Sequence, residues 1–158
     1  MLLYAQSSDS VTQGGIAVSY FLYPDSSALR LQTTIQFKEN SISGITIAKF
    51  RNDTIRGVLM NEFGVKAFQF TIVGNDCSIS QPISQLNKKY ILRTLKQDFA
   101  FAFAIQKTGD APYSVQKIQN STERIVNNKK TGELICQSDI VIMNNIQRGI
   151  RYTFIPIL

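Results

Sequence analysis

The chain has 158 residues, with 17 Lys and Arg against 11 Asp and Glu, and contains neither histidine nor tryptophan. That length suits one domain with a real hydrophobic core and is short for two. Without histidine there is no Ser-His-Asp or Cys-His catalytic set and no histidine-ligated zinc, copper or haem, and two cysteines cannot build a four-cysteine zinc or iron–sulfur site in one subunit.

The expectation is a non-enzyme with no catalytic residue, no metal and no cofactor, with an enzyme using Glu62 as general acid as a further alternative. Cys77 and Cys136 fall in separate strand-like segments and could form one disulfide or remain two buried thiols; the sequence leaves both open. Ten Phe and six Tyr lean toward β structure, because flat side chains suit a pleated surface. A net charge of +6 favours approach to anionic surfaces. Only Lys88–Lys89 and Lys129–Lys130 are adjacent, and no basic block interleaves with aromatics. Nucleic acid is accordingly not expected as a partner, and most of the charge reads as a solvated face. No apolar run approaches the roughly 20 residues of a membrane-spanning helix.

Residues 1–14 read as a flexible lead, and 15–158 as a single domain. Leu2, Leu3 and Ala5 followed by polar residues look like the tail of a secretory signal, the alternative being an ordinary disordered N-terminus. "IAVSYFLY" at 16–23 reads as a strand. "ALRLQTTIQF" alternates cleanly, with Leu29, Leu31, Thr33, Ile35 and Phe37 on one face and Arg30, Gln32, Thr34, Gln36 and Lys38 on the other. "KENSISG" at 38–44 reads as the turn that ends it.

"ITIAKF", the turn "RND", "TIRGVLM", the corner "NEFG" and "VKAFQFTIV" follow. Strands of about 6–8 residues separated by short turns indicate an antiparallel meander. At the corner, Asn61, Glu62 and Gly64 supply turn chemistry. From Pro82 to about Ala104 the period becomes helical, with Ile91, Leu92, Leu95, Phe99, Ala102 and Phe103 on one stripe and Lys89, Arg93 and Lys96 along its flank. The tail "FAFAFAI" also alternates, but alanine favours the helix. "KTGDAP" breaks it, and strands resume in "YSVQKIQ", "ERIVNN", "ELICQSDIVIM" and "IRYTFIPIL", with "KKTG" and "NNIQRG" as turns. The expected class is α+β, mostly antiparallel β.

Over residues 42–104, "SGITIAKFRNDTIRGVLMNEFGVKAFQFTI" followed by "LNKKYILRTLKQDFAFAF" resembles the LolA/LolB-like envelope proteins, especially uncharacterised lipoproteins of Bacteroidetes. The resemblance lies in the order of the Ser-Gly strand, the Arg-bearing strand, the "EFG" corner and the basic helix. It implies an incomplete β-barrel, a half-barrel covered by a helix, enclosing an apolar cavity for an acyl chain, lipid or lipoprotein. It also implies a place in the periplasm or at the outer membrane. No lipobox cysteine is visible, so a lipid anchor is not supported. The arginine that gates the cavity in some of these proteins has only Arg56 as a loose match.

On this reading Phe50, Leu59, Phe63, Phe68, Phe70, Leu95, Phe99 and Phe103 line the cavity. Lys89, Arg93 and Lys96 face an anionic membrane, and the protein is a monomer. A filled core and a solvated helix face are the alternatives, giving an envelope structural or interaction protein. Asp53, Glu62, Asp76, Asp98, Asp110, Glu123, Glu133 and Asp139 fall mostly at turns, and none forms a catalytic pair.

Overall fold

The structure, a computed structural model, describes residues 11–12, 15–17, 20–21, 28–104, 106–108 and 112–157. In chain order the elements begin with β1 (Val11–Thr12), β2 (Gly15–Ala17), β3 (Leu29–Phe37), β4 (Asn40–Arg51), β5 (Thr54–Met60), β6 (Lys66–Val73) and β7 (Asp76–Ser80). The helix α1 (Lys89–Phe103) follows, then β8 (Gln106–Thr108), β9 (Ser114–Ile118), β10 (Ser121–Val126), β11 (Lys129–Gln137), β12 (Ile140–Asn145) and β13 (Ile150–Pro156). Ten strands form one open antiparallel sheet in the order β7-β6-β5-β4-β3-β13-β12-β11-β10-β9, and β1, β2 and β8 form a small second sheet. The mostly antiparallel α+β class expected from the alternation is the one observed.

The large sheet is two five-strand meanders, β3–β7 and β9–β13, joined where β3 pairs with β13. Six hairpins turn on two residues each: 38–39, 52–53, 74–75, 119–120, 127–128 and 138–139. At Asn52–Asp53 and Asn127–Asn128 both residues have positive φ, the conformation that matches strand twist and that Asn and Asp tolerate best.

Tight turns explain three departures from the sequence reading. "KENSISG" is not a turn beyond Lys38–Glu39, because β4 already pairs at Asn40 with Phe37. "KKTG" belongs to β11, since Asn127–Asn128 make the turn one step earlier. "ELICQSDIVIM" is two strands that reverse at Ser138–Asp139.

Of the lead expected to be flexible, residues 1–10, 13 and 14 lie outside the described residues, as do Leu2, Leu3 and Ala5 of the signal-like stretch. Val11 and Thr12 pair with Ile16 and Gly15. Of "IAVSYFLY", the structure describes Ile16 and Ala17 in β2, then Tyr20 and Phe21.

The helix begins later than Pro82. Ile83 N–H donates to Ala67 O at 2.8 Å and Leu86 N–H to Ile83 O at 2.9 Å, so this segment is a turn tethered to β6. Helix begins only after Lys88, whose extended backbone is the N-cap without a side-chain bond. Its far end keeps the "FAFAF" tail helical to Phe103. Residues 98–104 are all buried, so the last turns are enclosed on every side, as an all-round apolar helix end requires.

The sheet bends around this helix. β6 and β10 lie seven strand spacings apart, roughly 34 Å on a flat sheet. Phe99 touches Phe68 of β6, while its neighbour Asp98 bonds Arg124 of β10. Two adjacent helical residues cannot bridge such a flat span, so the sheet is concave toward α1. Inward residues of β3, β4 and β5 (Leu29, Leu31, Ile35, Ala48, Ile55, Leu59) are buried beneath. Thr33 and Thr46 satisfy each other there through a 2.7 Å hydroxyl–hydroxyl bond.

Gly57 makes room for one of these rings. It sits directly opposite Phe70, and a Cβ at 57 would overlap the Phe70 ring. Gly57→Val should therefore displace Phe70 and destabilise the protein by about 1–3 kcal/mol, read as a lowered urea midpoint. An unchanged midpoint would show that the ring has space to move.

Candidate functional site

The concave face and α1 meet in a continuous group of aromatic rings. Phe99 is its hub: ring centroids lie 5.2 Å from Phe68, 5.0 Å from Phe70, 5.4 Å from Phe103, 5.9 Å from Tyr152 and 6.2 Å from Phe154. Phe21 enters from outside the large sheet, stacking on Phe103 at 4.7 Å and meeting Phe154 edge-on at 5.5 Å. Each such pair contributes about 0.5–1.5 kcal/mol beyond simple burial. The group draws on β6, α1 and β13, so it ties both meanders to the helix.

Leu59, Phe68, Phe70, Leu95, Phe99 and Phe103, all expected to line a cavity, are buried in this interior. Two others are not. Phe63 is 82% exposed at the tip between β5 and β6, because the corner is built to hold it outward. Asn61 Oδ1 accepts the N–H groups of Phe63 and Val65 at 2.9 Å each, and Gly64 takes a φ of 79°. Phe50 is 39% exposed near the end of β4, away from the enclosed part of the sheet.

Beside the rings lies a buried polar cluster centred on Asp98, a residue the sequence pattern did not single out. Arg124 Nη1 donates to Asp98 Oδ1 at 3.0 Å, Asn145 Nδ2 to both carboxylate oxygens at 3.1 and 3.0 Å, and the Tyr152 hydroxyl to Oδ2 at 2.5 Å. Arg124 is held in turn by Thr131, through Nε to the hydroxyl at 3.2 Å, and lies over the Phe101 ring at 5.2 Å. Burial pushes the Asp98 carboxyl above its ordinary value, opposed by the Arg124 charge and by the bonds from Asn145 and Tyr152. Burial and the Asp98 charge raise the Tyr152 hydroxyl well above its own, keeping it a donor. Among the described residues, each group hydrogen-bonded to the carboxylate gives it a hydrogen, and the arrangement anchors the helix to the sheet.

Arg56, the loose match for a gating arginine, is exposed on the outer face of β5. The arginine that reaches the helix from the sheet is Arg124. Of the helix cations, Lys89 and Arg93 are exposed and Lys96 is half-buried. Glu62 is exposed at the corner, whereas Glu123 and Glu133 lie on strands and share Lys130 at 2.9 and 2.7 Å.

Cys77 and Cys136 form no disulfide: Cys77 on β7 is half-buried, and the Cys136 thiol donates to Ser138 O at 3.7 Å. An open groove of about 410 Å³ lies where the start of β9 meets the end of β10 and the turn at 127–128, past Tyr113, Ile125 and Asn128, and includes none of the residues expected to line a cavity. Among the described residues, no cluster of Cys, Asp and Glu could hold a metal ion, and no helix is long and apolar enough to cross a membrane.

No protein-family model matches the chain, and no curated protein does.

The Asp98–Arg124 pair is open to a double-mutant cycle. Asp98→Leu or Arg124→Met alone strands a buried partner and should cost about 3–5 kcal/mol in urea denaturation. The double variant should cost clearly less than the sum, because two apolar side chains then face each other. Simple additivity would mean that the two groups act independently.

Proposed function

We propose that the chain is a non-enzymatic binding protein of the bacterial envelope, periplasmic or associated with the outer membrane, that takes an acyl chain, a lipid or a lipoprotein between its curved sheet and α1. The observation that carries this reading is the aromatic concave surface: Phe68 and Phe70 on β6 and Tyr152 and Phe154 on β13 converge beneath a single covering helix. The resemblance of residues 42–104 to LolA/LolB-like proteins points the same way, and a LolA/LolB-like half-barrel is part of the proposal. The rings close on one another, so a ligand enters as α1 and the Tyr20–Phe21 segment shift and uncover them. Burial of a methylene stabilises by about 0.8 kcal/mol. About ten methylenes would then offset the loss of several ring contacts. Contact with an anionic membrane belongs to the same proposal, and the helix cations Lys89, Arg93 and Lys96 form one of two basic faces able to make it.

A second reading has its own support. Neighbouring ring centroids only 4.7–6.4 Å apart describe a filled interior. The chain would then be an envelope interaction protein working through its outer surface.

Phe99→Ala separates the two. Removing the hub ring should destabilise the protein by about 3–5 kcal/mol. If the interior takes acyl chains, a dansyl-labelled fatty acid should bind saturably, raise the Tm of the variant, and appear as a one-to-one adduct in native mass spectrometry. Wild-type protein purified from cells should carry lipid in the same assay. Absence of both adducts, with no rise in Tm, assigns the second reading.

A further inference from the structure

The outer face of the large sheet carries a charge pattern that its fold does not explain. The five adjacent strands β6, β5, β4, β3 and β13 contain Lys66, Arg56, Lys49, Arg51, Arg30 and Arg151, and not one carboxylate. Four of these cations are gathered. Lys49 stands directly opposite Arg56 in the β4–β5 ladder, with Arg51 one diagonal step from Arg56. Arg30, opposite Ile47 on β3, is one diagonal step from Lys49. All four are exposed, and among the described residues none is within ion-pair distance of a carboxylate. Like charges facing each other across a ladder destabilise it, so the row is a cost to the isolated fold.

Next to the row the same face is apolar. Ile45 pairs with Met60 and Ile47 with Val58, making a two-by-two block of half-buried side chains beside the cations. Inward neighbours Thr46, Ala48, Ile55 and Leu59 are fully buried, so the outward set is a separate surface.

We propose that this outer face of β3–β5, rather than the flank of α1, docks the protein on an anionic phospholipid surface. The cation row meets the headgroups and the Ile45–Met60, Ile47–Val58 block enters the headgroup–acyl boundary. Charge selects an anionic occupant, and like charges on both sides exclude a second copy of this chain seated face to face. The outward side chains of β3–β5 include no aromatic ring on which a nucleobase could stack, and an apolar block has no counterpart on a phosphate backbone. A lipid surface offers anions and apolar chains together, without a fixed register. The inference rests on the membrane-contact part of the proposed function and needs no interior ligand.

Flotation with vesicles of phosphatidylglycerol and phosphatidylcholine, against phosphatidylcholine alone, tests it. The full chain should float only with the anionic vesicles, less so as salt rises. With about 1 kcal/mol per cation near such a surface, Lys49→Glu with Arg56→Glu should weaken binding at least tenfold. That variant keeps a like-charge pair across the ladder, so folding is comparable, while Lys89→Glu with Lys96→Glu should bind nearly as wild type. Lys49→Gln with Arg56→Gln should raise Tm and still lower vesicle binding, an opposition that a merely structural pair would not produce. Wild-type flotation by the sheet variants, loss of flotation by the helix variant alone, or binding to an oligonucleotide but not to vesicles would each overturn the docking face. Native mass spectrometry of the same samples reads the interior ligand separately, so failure of one reading is distinct from failure of the other.

Discussion

Two neighbouring residues on one turn of α1 hold the two halves of the molecule together. Phe99 touches rings on β6 and β13, and Asp98 receives bonds from β10, β12 and β13. Phe103, one turn further on, makes a second ring bridge from Phe70 of β6 to Phe154 of β13. Among the described residues the helix thus crosses from one wing to the other with apolar and ionic contacts side by side. Curvature of the sheet, enclosure of the last helical turns and burial of Arg124 all follow from that pair being satisfied together.

The two contacts differ in what they demand. Aromatic packing tolerates sliding and regrouping of rings, because most of its worth is non-directional burial, with ring geometry adding the smaller part. The Asp98 cluster tolerates little, since a carboxylate that loses donors in an apolar surround is costly. The ionic contact therefore fixes where the helix sits, while the rings supply most of the burial. Any uncovering of the aromatic surface has to preserve the cluster as a pivot or dissolve it as a unit.

Much of this architecture was legible in the sequence. Strict alternation from Leu29 to Phe37 identified both the strand and its inward face, and β5 matched its residues in full. The tail of the helix was resolved by alanine content against a competing period of two. Turn chemistry misled where Asn, Ser and Gly entered strands, as in β4, because pairing with a neighbour outweighs local preference. Asp98 was hidden for another reason. Its partners lie 26, 47 and 54 residues further on, beyond any local pattern. A signal did exist: Asp98 follows Ile91 and Leu95 at helical spacing on the buried stripe, and a carboxylate there requires partners. Phe63 was misplaced because an aromatic residue at a corner looks the same in sequence whether it points in or out.

The seam between β3 and β13 has a further consequence, in the order of chain assembly. Of the nine ladders in the large sheet, eight join strands that are neighbours in sequence, and only this one joins distant segments. Hairpins close over short loops at small entropic cost, whereas bringing β13 to β3 closes most of the chain. The entropy of long-range closure is thus concentrated in one ladder, next to which Ile157 N–H already reaches Arg30 O at 3.0 Å. The chain enters and leaves the large sheet at the same central seam, while the two edges, β7 and β9, are linked in sequence through α1 and β8.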